Sequence, residues 1–116
     1  MATTTPQIKD HELYRLLRSG KIDDFNQRKA SGESCDLTGA DFRSVDLTGL
    51  DADGLDLSNC YFRMCNLRGV DFSTTRLQGA SIHGARISGT YFPLALPAAE
   101  ITLSLEHGTR MRYTTD

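Results

Sequence analysis

The 116-residue sequence contains no tryptophan, and aromatic residues make up only 8% of it. Hydrophobic residues account for only 39%, so we expect no large central core, and any core must be thin or built from small side chains. The sequence also lacks an apolar run of the roughly 18–20 residues that a membrane-spanning helix needs. Its first residues lack a basic segment followed by an apolar one, which predicts no secretory signal, a cytoplasmic location and no membrane partner.

An excess of basic residues is missing as well. Thirteen Lys and Arg against fifteen Asp and Glu give a net charge of -2, whereas proteins that bind nucleic acid directly usually have a basic surplus. The three cysteines, Cys35, Cys60 and Cys65, are an odd number and argue against a disulfide framework. Their spacing and that of the three scattered histidines match no zinc pattern. We therefore expect buried reduced thiols, no bound metal, no cofactor and no direct nucleic-acid binding.

Between residues 35 and 94 the sequence repeats every five positions. The first position is small or apolar throughout, the second is polar or amphipathic, and the fourth and fifth are rich in Gly, Ser, Thr and Asn. Because residues i and i+2 of an extended segment face the same way, positions one and three should point inward and position two outward. Turn chemistry at every fifth residue predicts short extended sides separated by corners, which wind into a solenoid. All the third-position residues except Ala52 are large and apolar, and the twelve are Leu37, Phe42, Leu47, Ala52, Leu57, Phe62, Leu67, Phe72, Leu77, Ile82, Ile87 and Phe92.

The period of five does not by itself give the number of sides in each coil of the solenoid. The spacing of the phenylalanines offers a clue, since Phe42 and Phe62 are twenty residues apart, as are Phe72 and Phe92. Four sides of five residues would place the two rings of each pair one above the other. Neighbouring coils would then be hydrogen-bonded at about 4.8 Å, as adjacent strands are.

The units CDLTG, ADFRS, VDLTG and CNLRG match the motif A-(D/N)-L-x-x almost fully, and this run closely resembles the pentapeptide-repeat family over about half of the chain. The resemblance implies a mainly β fold, a right-handed quadrilateral β-helix with twenty residues in each coil. Residues 35–94 would then form twelve repeats in three coils, with 1–34 as an N-terminal helical cap and 95–116 as a short C-terminal capping segment. The last four units depart from the motif at the second position, so we expect looser hydrogen bonding at corners that follow Arg76, Ser81, Arg86 and Tyr91.

The N-terminal segment has the pattern of two short helices. Leu13, Leu16 and Leu17 fall at i, i+3 and i+4, with Asp10 as a possible cap and Gly20 as an end signal. A second helix over about 23–29 would turn Phe25 inward and end near Gly32. A DNA-binding helix-turn-helix is the alternative, but six Lys or Arg against five Asp or Glu leave this segment nearly neutral. A lid on the first coil is the preferred interpretation.

The C-terminal segment allows two interpretations. Pro97 and Gly108 would start and stop a helix, whereas the alternation of Ile101, Leu103 and Leu105 fits a strand. We slightly favour the helix. Residues 109–113 alternate as well and could form a closing strand, and the whole segment would cap the third coil and could carry a self-association surface.

No catalytic constellation is evident in the sequence. Every glycine is explained by a corner rather than by a phosphate loop, and the cysteines occupy inward positions. The aspartates recur on an open wall, where paired carboxylates do not have the differing environments that acid–base catalysis requires. A pocket for a small molecule is expected only where the terminal segments meet the coils. These observations predict a protein that is not an enzyme.

The expected function is a non-catalytic interaction module or scaffold that binds an unknown protein partner, with a homodimer as a further possibility. The formal charge changes from -4 in the first coil (35–54) through 0 in the second (55–74) to +2 in the third (75–94), and this gradient could orient docking. The alternative follows from the family resemblance: some members resemble B-form DNA and bind the type II topoisomerase DNA gyrase, here as a dimer because three coils are short. The candidate interaction surface consists of outward residues, Asp36, Asp56, Asp51, Asp71, Arg43, Arg63, Tyr61 and Tyr91.

Overall fold

The structure, a computed structural model, describes residues 5–114. Three helices are the regular elements of this part of the chain: α1 (Glu12–Arg18), α2 (Ile22–Ala30) and α3 (Ala98–His107). None of the helices within these residues is long and apolar enough to cross a bilayer.

The predicted fold class, a mainly β protein forming a right-handed quadrilateral β-helix, is wrong. Within residues 5–114 the repeats form isolated single-residue bridges and no strand of a regular sheet. The physical reason is the repeat length. A turn interrupts the backbone in nearly every five-residue unit, so an extended segment ends before a second consecutive residue can join the same ladder.

The winding of the chain is nevertheless regular. Six parallel bridges join residues that are twenty positions apart, for example Asp41 with Tyr61 and Tyr61 with Ser81. Backbone hydrogen bonds follow the same spacing, since the Phe42 amide donates to the Tyr61 carbonyl at 2.9 Å and the Tyr61 amide donates to the Ala40 carbonyl at 3.0 Å. Residues 35–54, 55–74 and 75–94 therefore lie on one another as three coils.

The corners are held by a backbone turn and by the side chain at the second position. In the first unit the Ala40 amide donates to the Leu37 carbonyl, and the Asp36 carboxylate accepts hydrogen bonds from the Thr38 amide and hydroxyl. The bond from the second-position side chain to the amide two residues later recurs at Asp41, Asp46, Asp51, Asp56, Asn66 and Asp71. Arginine has no acceptor atom, so this bond cannot form at Arg76 or Arg86, in keeping with the looser corners expected there.

The core is a thin column of inward side chains. Phe42, Phe62 and Phe72 are at most 1% exposed, and the column continues through the third-position leucines of all three coils. The rings of Phe42 and Phe62 are stacked, with centroids 5.6 Å apart and planes within 6°, as their spacing predicted. The rings of Phe72 and Phe92 are 6.4 Å apart but tilted by 34°, so ring-over-ring stacking is found in only one of the two pairs.

The two N-terminal helices pack on the first coil. The Tyr14 hydroxyl in α1 donates to the Asp41 carbonyl at 2.5 Å. In α2, Asn26 donates to the Gly49 carbonyl and accepts from the Asp51 amide, each at 2.9 Å, and Phe25 is buried as predicted. The predicted cap was wrong by one residue: His11 caps α1 by accepting from the Leu13 amide, whereas the Asp10 carboxylate pairs with Arg15 instead.

The C-terminal segment crosses the outer end of the third coil. Residues 98–107 form a helix, the interpretation that was slightly favoured, and α3 ends at Gly108, whose φ of 76° lies in the left-handed region. Residues 109–113 form no strand, but Met111 exchanges backbone hydrogen bonds with Gly79 and Ala80. The Met111 side chain is fully buried, so this segment completes one part of the core.

Candidate interaction surface

Asp36 and Asp56 lie on the same side of successive coils, because the Gly39 amide donates to the Ser58 carbonyl across the two units. Both residues are exposed, yet each carboxylate also holds its own corner, Asp56 through the Ser58 amide and hydroxyl. Hydrogen bonds from the Thr38 hydroxyl and amide keep the pKa of Asp36 below its ordinary value. These aspartates can contact a partner, but each carboxylate is already used to stabilise its own turn.

Asp51 and Asp71 also lie on one side, with Tyr91 beyond them. The Gly54 amide donates to the Thr74 carbonyl, and a parallel bridge joins Asp71 to Tyr91. Asp51 is paired with Lys29 of α2 at 3.2 Å, so it contributes less charge to the surface than the sequence suggested. Tyr91 is 66% exposed and remains a candidate contact residue.

Arg43, Arg63 and Tyr61 are brought together on a third side. The Ser44 amide donates to the Arg63 carbonyl at 2.9 Å, which stacks the two arginine corners. The Arg43 side chain donates hydrogen bonds of 2.9 and 2.8 Å to the Asp41 carboxylate. These bonds lower the pKa of Asp41. Arg63 is exposed, and its side chain makes no hydrogen bond or ion pair with any residue between 5 and 114.

Two further arginines reach this side from outside the repeats, and sequence reasoning missed both. The Arg110 guanidinium lies 5.0 Å from the centre of the Tyr61 ring and donates to the Tyr61 hydroxyl, Asn59 and the Gly79 carbonyl. Arg18 of α1 donates to the Arg43 carbonyl at 2.9 Å. We call this set the arginine face: Arg18, Arg43, Tyr61, Arg63 and Arg110. The twenty-residue spacing could have grouped its repeat members, but no sequence pattern shows where the terminal segments fold back.

Two of the three cysteines are buried in the core. Cys60 and Cys65 are fully buried, their thiols face the carbonyls of Leu37 and Phe42, and burial raises the pKa of each to about 12. This confirms the expected buried thiols at two positions, whereas Cys35 is only half-buried. Over the described part of the chain, no group of three or more His, Cys, Asp or Glu side chains could hold a metal ion.

Pockets occur where the N-terminal helices meet the first coil, as expected. An open groove of about 640 Å³ runs between the start of α2 and Asp46. A smaller cavity of about 200 Å³ is mainly apolar, with Leu13, Phe25 and Leu37 among its lining residues. The lining of this smaller cavity also includes Cys35, Lys29 and Glu33, and burial raises the pKa of the Cys35 thiol.

The outer end of the third coil is only half covered. The amides of Ile82 and Gly84 donate to Ser104 and Leu105, and those of Leu77 and Gly79 donate to Tyr113 and Met111. At the corresponding positions of the next side, the amides of Ile87 and Gly89 have no partner within residues 5–114. We call residues 85–94 the open edge. Two exposed apolar side chains lie on it, Tyr91 at 66% and Leu94 fully exposed.

These features define a repeat protein, in which five-residue units place one row of side chains inside and another outside. Residues 33–63 and 56–92 match the family model for pentapeptide repeats, with eight copies. Since this match covers more than half of the chain, the protein belongs to the pentapeptide-repeat family. No curated protein and no solved structure matches it.

Proposed function

We propose that the protein is a non-catalytic interaction module or scaffold that presents rows of side chains to a protein partner. The observation that carries the proposal is the way in which the outward positions are fixed. Each unit is hydrogen-bonded to the unit twenty residues away, so outward side chains such as Asp71 and Tyr91 have defined neighbours. A surface held in this way binds a partner without ordering itself first, which lowers the entropic cost of association.

The interior supports a non-catalytic role. Third-position side chains such as Leu47, Phe62 and Leu67 are at most 1% exposed and fill the centre of the coils, so no concave site opens between the repeats. Hydrogen bonds lower the pKa of Asp46 and Asp71. A general acid or base works best with a pKa near the operating pH, and these carboxyls are shifted away from neutrality.

A photo-cross-linking experiment in the native cell tests the proposal. A benzophenone amino acid would replace one exposed residue on each of the four sides, Met64, Ser73, Arg76 or Arg86. We expect a discrete protein adduct from at least one position and none from a control at the buried Leu67. The proposal fails if no position gives an adduct above the control.

A homodimer through the open edge is a second part of the proposal. The unpaired amides of Ile87 and Gly89 lie beside exposed apolar side chains, and an unpaired edge of this kind is a template for pairing with another chain. Light scattering should detect a species of twice 12.8 kDa that Leu94→Lys abolishes. Met64→Lys is the matched control, because Met64 is also an exposed apolar side chain, at 60%, but lies on the second coil. A monomer at all concentrations would refute the dimer.

The gyrase-binding alternative would also require such a dimer. A supercoiling assay tests it directly, with relaxed plasmid and gyrase in the presence of the protein or the Leu94→Lys variant. Equal supercoiling with and without the protein would argue against this alternative.

A further inference from the structure

Four arginines from three separate parts of the chain converge on one side of the coils. Arg43 and Arg63 occupy the same corner in the first and second coils, Arg18 comes from α1, and Arg110 follows α3. Contacts to common neighbours hold them together: Arg18 binds the Arg43 carbonyl, and Arg110 lies over the Tyr61 ring. The chain as a whole carries a net charge of -2, so this concentration of positive charge is local.

The arginine face contains little compensating negative charge. Asp41 is joined to Tyr61 by a bridge, but it is only 7% exposed and its carboxylate is occupied by Arg43. Arg18 and Arg110 donate only to neutral groups among residues 5–114. Outside the arginine face some arginines pair with carboxylates, as Arg112 does with Glu100 at 3.2 Å, whereas others such as Arg86 do not within residues 5–114.

We propose that the arginine face is the docking surface for a carboxylate-rich segment of a partner protein. This inference rests on the proposed function as an interaction module and names the side that carries it. The planar guanidinium matches a carboxylate with two parallel hydrogen bonds. Arginine and tyrosine are also the residues that most often dominate the energy of a protein interface.

Within the arginine face, Arg63 is the anchor. Its side chain is exposed and lies beside the pair of Arg43 and Asp41, so a partner carboxylate would not have to displace an existing ion pair. The Tyr61 side chain is half-buried, and Arg110 fixes the position of its ring. A partner segment would therefore meet one available guanidinium next to a ring that has little freedom left to lose.

A nucleic acid fits this surface less well than a protein carboxylate. Neighbouring sides present the exposed Asp46 and Asp56 together with Arg68, Arg76 and Arg86, so positive charge does not continue unbroken beyond the arginine face. Proteins that bind nucleic acid commonly extend a basic surface along the backbone. A short acidic segment avoids the flanking aspartates.

The test uses a fluorescein-labelled peptide of ten glutamates and the full chain, with anisotropy measured at low ionic strength. Arg63→Glu should weaken binding at least tenfold, and Arg63→Gln should weaken it by a smaller factor. Arg76→Glu is the matched control, since Arg76 is also exposed, lies outside the open edge and undergoes the same charge change on another side of the coils. We expect the control to stay within twofold of the unsubstituted protein, and circular dichroism should show that all variants are folded.

Four outcomes would overturn the inference. The first three are that the peptide does not bind, that Arg63→Glu and Arg76→Glu weaken peptide binding equally, and that a ten-nucleotide single strand binds more tightly than the peptide. The fourth is that Arg63→Glu removes self-association seen by light scattering while peptide binding is absent, which would make a second copy the occupant. If the cross-linking positions Ser73, Arg76 or Arg86 still give a protein adduct in any of these cases, the proposed function stands and only the choice of side is wrong.

Discussion

The first and third coils follow the same five-residue pattern but differ at their corners and at their ends. In the first coil the second position is Asp in every unit, and each carboxylate binds the amide two residues later. In the third coil this position is Arg, Ser or Tyr. The first coil is overlaid by α1 and α2, whereas the segment after Pro97 leaves the open edge of the third coil unpaired. The inward positions therefore determine how the chain winds. The outward second position determines which end of the coils is stabilised by corner hydrogen bonds and which end is available to bind a partner.

The largest expected effect concerns the core that both coils share. Phe62→Ala should lower the free energy of unfolding by about 3–5 kcal/mol, because it leaves a cavity under a fully buried ring. Phe92→Ala should cost clearly less, since Phe92 is half-buried near the open edge. Urea denaturation followed by circular dichroism measures both. Equal losses would show that the third coil is as tightly closed as the centre.

A smaller effect concerns the corners. Asp46→Ala should lower stability by about 1 kcal/mol, because it removes the hydrogen bonds to the Thr48 amide and hydroxyl. Arg86→Asp, two coils further on the same side, should stabilise the protein by a similar or smaller amount by supplying an acceptor for the Ser88 amide. Thermal unfolding of both variants tests whether the hydrogen bond from the second-position side chain is all that the Arg86 corner lacks relative to the Asp46 corner. A destabilising Arg86→Asp would contradict that account.

The smallest expected effect is a loss of stability at low pH, which should arise mainly from the first coil. Hydrogen bonds from the Thr48 amide and hydroxyl lower the pKa of Asp46, and Arg43 lowers that of Asp41. A lowered folded pKa gives stability that is present above the ordinary value of about 3.9 and is lost as the pH falls through the folded pKa. Stability should therefore decline below about pH 4.

Asp46→Asn separates the charge from the hydrogen bond. Asn66 already occupies the equivalent position in the second coil and accepts from the Arg68 amide, so an asparagine can hold this corner. The variant should remain close to the original stability at pH 7 but lose less of it between pH 5 and pH 2, in urea titrations at each pH. An unchanged acid response would mean that Asp46 does not contribute.

Much of the coiled region could be predicted from the sequence, because a strict period leaves few arrangements for the side chains. The inward column follows from that period, whereas the twenty-residue coil and the stacking of Phe42 on Phe62 were indicated by the spacing of the phenylalanines and by the family resemblance. The regular β ladder did not form, because the turn in nearly every unit limits each side to one bridge. The arginine face could be predicted only in part: Arg43, Arg63 and Tyr61 share the period, whereas Arg18 and Arg110 depend on how the terminal segments fold back.

Residue-resolved hydrogen exchange at low protein concentration tests the central claim most directly, namely that one end of the coils is closed on one side and open on the next. The amides of Ile82 and Gly84, which donate to Ser104 and Leu105, should be protected. Those of Ile87 and Gly89, at the same positions of the following side, should exchange at close to the rate of an unstructured chain. Equal protection at Ile82 and Ile87 in the monomer would contradict the account.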